Sequence, residues 1–92
     1  MRVVGDIPHS YCKITIFQTT NRYSVKFEQD GFEQTYKFRI GDAINGLSDV
    51  RKIITEQVIE QVIEEFKAMA AIKKIAFDGF MANALNEFED IF

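Results

Sequence analysis

The hydrophobic period of this chain changes near Gly41. Before that glycine, apolar residues recur at every second position. Beyond it they recur at every third and fourth. A period of two builds strands with one greasy face, and a period near 3.6 builds helix. The expected architecture is therefore α+β: a three-stranded antiparallel β-meander packed by a long C-terminal helix, plus a shorter terminal helix.

Three runs carry the strand pattern. From Tyr11 to Gln18, Cys12, Ile14 and Ile16 share one face, while Tyr11, Lys13, Thr15 and Phe17 take the other. Tyr23, Val25 and Phe27 repeat the pattern, and so do Phe32, Tyr36, Phe38 and Ile40, with Gln34 among them. β-branched and aromatic residues dominate all three. Asp30-Gly31 is a two-residue hairpin signal, because a type I′ turn needs positive φ at both central positions. A turn there pairs Gln29 with Phe32, Phe27 with Gln34, Val25 with Tyr36 and Tyr23 with Phe38, so the apolar faces coincide. A turn at Thr20-Asn21 pairs Ile16 with Val25 and Ile14 with Phe27. Arg2-Val3-Val4 reads as at most a short edge strand, with Gly5 and Pro8 expected to stop it.

In the second half, Gly41 to Leu47 reads as a loop, Ser48 as an N-cap and Asp49 as a first-turn acid. Ile54, Val58, Val62, Phe66 and Met69 form a stripe, widened by Ile59, Ile63 and Ala70. Asp78-Gly79 is the expected C-cap, followed by a second helix carrying Met81, Leu85, Phe88 and Phe92. A helix over residues 49–78 would run about 45 Å, against about 23 Å for a seven-residue strand. The sheet can cover only half of it. Either the chain turns near Ala68–Lys74, or Met69, Ile72, Ile75 and Phe77, with Met81, Leu85 and Phe88 beyond, meet another chain.

A chain of 92 residues, 47% of them hydrophobic with nine Phe, is too apolar for disorder and suits one domain: a β-meander over 1–47 and a helical half over 48–92. Residues 1–47 hold six basic and five acidic side chains, and residues 48–92 hold five and nine. An acidic helical half argues against wholesale wrapping by nucleic acid. One cysteine cannot form an intramolecular disulfide, so nothing suggests an oxidising compartment, and no apolar run is long enough for a leader or a membrane span. A cytoplasmic protein without a membrane partner is expected.

Chemistry-bearing residues are sparse. His9 and Cys12 lie three apart, but zinc wants about four ligands and no second His or Cys exists. Cys12 falls on the core face, where a thiol behaves as a small hydrophobe. Glu56, Glu60, Glu64 and Glu65 read as a solvated helical stripe. No metal, cofactor or catalytic set is expected, and the chain reads as a non-enzyme. The outer sheet face places Lys13, Lys26, Lys37 and Arg39 beside Tyr11, Thr15 and Phe17. Basic and aromatic groups on an open sheet can bind single strands, although Glu28 and Glu33 should oppose each other on that face.

Ile7-Pro8-His9, Lys13-Ile14-Thr15-Ile16-Phe17 and Glu33-Gln34-Thr35-Tyr36-Lys37-Phe38-Arg39 resemble a small bacterial protein family with no assigned function. The resemblance covers the strand half and the start of the helix. It implies a bacterial, cytoplasmic protein and transfers no site. The expected function is a small protein-interaction module, self-associating as a homo-oligomer or binding a protein partner through Met69, Ile72, Ile75, Phe77, Met81, Leu85 and Phe88. Nucleic-acid binding through the outer sheet face is the alternative.

Overall fold

The computed structural model describes residues 1–41 and 43–91, with side chains through Leu85. Four strands, not three, form an antiparallel meander in the order β1-β2-β3-β4: β1 (Arg2–Ile7), β2 (Lys13–Gln18), β3 (Arg22–Gln29) and β4 (Phe32–Arg39). The fourth strand is the N-terminal segment that Gly5 and Pro8 were expected to stop. Pro8 falls one residue beyond the strand, so it removes no ladder hydrogen bond. Gly5 stands opposite Ile16 at a bulge between Val3 and Gly5. A Cβ on Gly5 would lie 2.7 Å from Arg51 Nη2. The bare backbone lets Arg51 reach the strand, where its Nη1 donates to the Asp6 carbonyl at 2.8 Å.

The other two pairings follow the expected registers. Tyr23 opposes Phe38, Val25 opposes Tyr36, Phe27 opposes Gln34 and Gln29 opposes Phe32. Ile14 opposes Phe27, and Ile16 opposes Val25. The β3–β4 turn has φ of 49° at Asp30 and 84° at Gly31, the left-handed pair that this dipeptide favours.

The helical half differs from expectation in its order. A short helix, α1 (Leu47–Ile53), comes first, and the long one, α2 (Glu56–Ile91), follows. Residues 49–78 are not one helix, and among the described residues there is no separate terminal helix. The reason lies in helical phase. At 100° per residue, an unbroken helix would set Val50 about 160° and Ile54 about 120° from Phe66. All three are buried in one core. The break at Ile54-Thr55 turns Val50 and Ile54 back toward the sheet. Thr55 caps the new helix, its Oγ1 accepting from the Val58 N–H at 3.3 Å. Gly46, not Ser48, is the N-cap of α1. Asp49 reaches back instead, accepting from the Asn45 N–H at 2.9 Å. Asp78-Gly79 ends nothing. Helix continues through both, and Asp78 binds Lys74 at 2.6 Å.

Ile14, Ile16, Val25 and Phe27 of the sheet meet Val50, Ile59, Val62 and Phe66 in the core. Gln34 is the polar member of the buried face. Its Nε2 donates to the Val62 carbonyl at 2.9 Å, and its Oε1 accepts from the Tyr36 hydroxyl at 2.6 Å. That pairing satisfies a side chain otherwise costly to bury. Among the described residues, no buried side-chain polar atom lacks a partner.

Candidate functional site

Thirty-six helical residues span about 54 Å, and eight strand residues about 27 Å. Only the proximal half of α2 finds the sheet. The last contacts are the half-buried Met69 and Lys73, whose ammonium sits 5.3 Å from the Phe32 ring centre. Among the described residues beyond them, none joins the core cluster, and the molecule measures 65 × 26 × 19 Å.

From Ala70 to Leu85 every residue except Ala84 is exposed. Six of them are large and apolar: Ile72, Ile75, Phe77, Phe80, Met81 and Leu85, from 42% exposed at Met81 to 72% at Ile75. Residues 68–78 therefore neither turn nor fold back. Of the residues expected at an interaction surface, Met69 belongs half to the core, Ile72, Ile75, Phe77, Met81 and Leu85 lie in the open, and the Phe88 side chain is outside the described residues. The sequence reading passed over Phe80, which is 66% exposed. Its signal was the spacing of three from Phe77, which puts both on one face.

The exposed residues have an ordered arrangement. Phe66, Ala70, Phe77, Phe80, Met81 and Ala84 fall within about 100° of arc. The stripe that packs on the sheet proximally therefore continues past the sheet's end. Ile72 and Leu85 extend the apolar arc to about 220°, interrupted by Lys73, Lys74 and Asn83, while Ile75 lies on the opposite face. A two-helix seam needs only about 100°.

Beside the proximal half of α2 lies an open groove of about 960 Å³, bounded by the edge strand β4. Tyr36, Phe38, Val58, Val62 and Met69 give it an apolar floor, and Gln61 and Glu65 stand on its rim. Met69 joins it to the exposed run that begins at Ile72.

The outer sheet face divides by charge. Lys26 lies 3.1 Å from Glu33 and 3.6 Å from Glu28. The hydrogen bond that Lys26 donates to Glu33, and then the charge of Glu28, raise its pKa above the ordinary lysine value. Lys13 is paired with Glu28 across the ladder. Lys37 and Arg39 collect at one corner with Arg22, which is directly opposite Arg39. Phe17 is half-buried opposite Ser24, and Ser24 and Thr15 are buried on this face. The expected basic surface is thus a neutralised centre and one cationic corner.

His9 and Cys12 do meet, with a third member that sequence spacing did not nominate. The Tyr11 N–H donates to His9 Nδ1 at 3.2 Å. That leaves the ring proton on Nε2, which faces Glu56 Oε1 at 3.2 Å. Cys12 Sγ lies 4.0 Å from Nδ1. The order Cys–His–Glu resembles a nucleophilic relay, but the surroundings of the thiol oppose its ionisation. Burial, and then the Glu56 charge, push its pKa up, whereas a nucleophilic cysteine needs it lowered. The arrangement instead ties the β1–β2 loop to the first turn of α2. Among the described residues, no group of three or more His, Cys, Asp or Glu is placed to hold a metal ion. No helix among them is long and apolar enough to cross a membrane.

No protein-family model, no curated protein and no solved structure matches this chain, and the resemblance of its strand segments to a bacterial family has no matched relative behind it.

Proposed function

We propose that the protein is a non-enzymatic interaction module that self-associates through the distal half of α2. One observation carries this reading: six large apolar side chains between Ile72 and Leu85 stand in water on a helix that has left its own sheet. Together they expose on the order of 700 Å² of apolar surface. Patches larger than a few hundred Å² mark interaction sites, and a stable interface takes about 800 Å² from each partner. A helix whose apolar stripe runs on beyond its own sheet gains by covering it with other structure. A second copy offers the same surface, so a two-fold contact can satisfy both at once. The outer sheet face supports a nucleic-acid reading less well, because Glu28 and Glu33 occupy Lys26. A bacterial cytoplasmic setting accompanies the proposal, supported by the resemblance of the strand segments and by the lone Cys12.

Sedimentation velocity over a concentration series tests the reading. The full chain is expected to form a dimer or larger assembly. Phe77→Ser/Phe80→Ser should return it to monomer mass with the sheet's thermal transition retained. A full chain that stays monomeric at the highest concentration overturns the proposal.

A further inference from the structure

We infer that two copies associate antiparallel, the distal α2 segment of each lying in the groove between β4 and α2 of the other. The inference rests on the self-association reading and adds its seat. Lengths are the first argument. The groove wall on α2 runs from Gln57 to Met69, about 18 Å, and the exposed segment from Ile72 to Leu85 runs about 20 Å. A two-fold axis perpendicular to the sheet, passing near Ala70-Ala71, lays each segment along the other copy's groove.

Facing is the second argument. This axis keeps the sheet-side stripe of α2 pointing toward the sheet layer in both copies. Phe77, Phe80 and Met81 continue that stripe beyond their own sheet. They therefore descend onto the partly open β4 margin of the second copy, where Tyr36 is 43% exposed. Ile72 and Ala76 turn instead toward the second copy's α2. The groove thus contacts the segment from two sides, which suits an apolar arc far wider than a simple two-helix seam. A helix laid in an apolar groove is an established recognition mode.

Charge is the third argument. Glu65 lines the groove. The antiparallel seat brings Lys73 of the second copy within about one helical turn of it along the helix axis. A parallel in-register pair would set Glu65 against Glu65 and Lys73 against Lys73, which is unfavourable.

Gln61→Cys/Asn83→Cys in the full chain, treated with a short bismaleimide, tests the geometry. Within one copy the two thiols lie about 33 Å apart, beyond the linker's reach. The seat predicts covalent dimer from the double variant and none from Gln61→Cys or Asn83→Cys alone. Wild-type protein, whose only thiol is the buried Cys12, is the control and should give none. Homotypic cross-linking by either single variant means a parallel pair and overturns the inference. An assembly by sedimentation in which the double variant does not cross-link overturns the seat but leaves self-association standing. A monomer by sedimentation overturns both.

Discussion

Single side chains do two kinds of work in this molecule: they complete the core's hydrogen bonding, and they set its pH response. Cys12 illustrates the second. Its thiol is buried beside the Glu56 carboxylate, and both effects raise its folded pKa. The unfolded chain therefore ionises this thiol first. Stability from Cys12 is complete below the ordinary thiol pKa of about 8.5, and it falls as pH rises through the higher folded value. Urea midpoints should be level from neutral pH to about 8.5 and then decline. Cys12→Ala should lower the starting midpoint through lost packing, yet decline less steeply over the same range. An equal slope in both proteins would remove Cys12 as a source of the alkaline loss. At this scale the sequence was most readable where one residue type answers one geometric demand. Asp30-Gly31 named its turn and, through it, four cross-strand pairs. The Cys12 core position followed from alternation alone. The His9–Glu56 contact was not legible, because 47 positions separate the two residues, and only the tertiary fold closes that distance.

The elements show where local pattern fails and why. β1 was undervalued because Gly5 and Pro8 are poor strand residues on average. Here one admits Arg51 and the other falls outside the ladder. The α1–α2 break was missed because neither Gly nor Pro marks it. The clue was in the spacing: Ile54, Val58, Val62 and Phe66 are each four apart, and steps of four drift about 40° per turn. An unbroken helix would spread these four over about 120° and carry the buried Val50 a further 40° round, away from the sheet. The new start depends on Thr55, whose hydroxyl serves a donor that the helix itself cannot satisfy. Thr55→Ala should therefore destabilise the fold by about 1 kcal/mol, with Thr55→Ser close to wild type. Equilibrium urea unfolding at unchanged m-value is the measurement. Loss of less than a few tenths of a kcal/mol would mean that core packing alone enforces the break.

At the scale of the whole molecule, the governing fact was visible in sequence as a length surplus, although its form was not. Helical apolar residues outnumber the sheet positions able to cover them. A chain could resolve this by doubling back, and this one continues straight. Gly79 costs about 1 kcal/mol against Ala in a helix interior, yet the helix continues through it. The distal half is thus independent of the fold that carries it. Among the described residues past Lys74, all but Ala84 are exposed, and none joins the buried cluster. A chain ending at Lys74 keeps the Lys73–Phe32 contact and every buried core residue. It should fold with an unfolding free energy within a few tenths of a kcal/mol of a monomeric full-length variant such as Phe77→Ser/Phe80→Ser. Circular dichroism should lose helical signal in proportion to the residues removed, and sedimentation should report a monomer. If the shortened chain unfolds instead, the distal helix is part of the core's stability. If it folds yet still dimerises, the contact between copies lies on the sheet or the proximal helix.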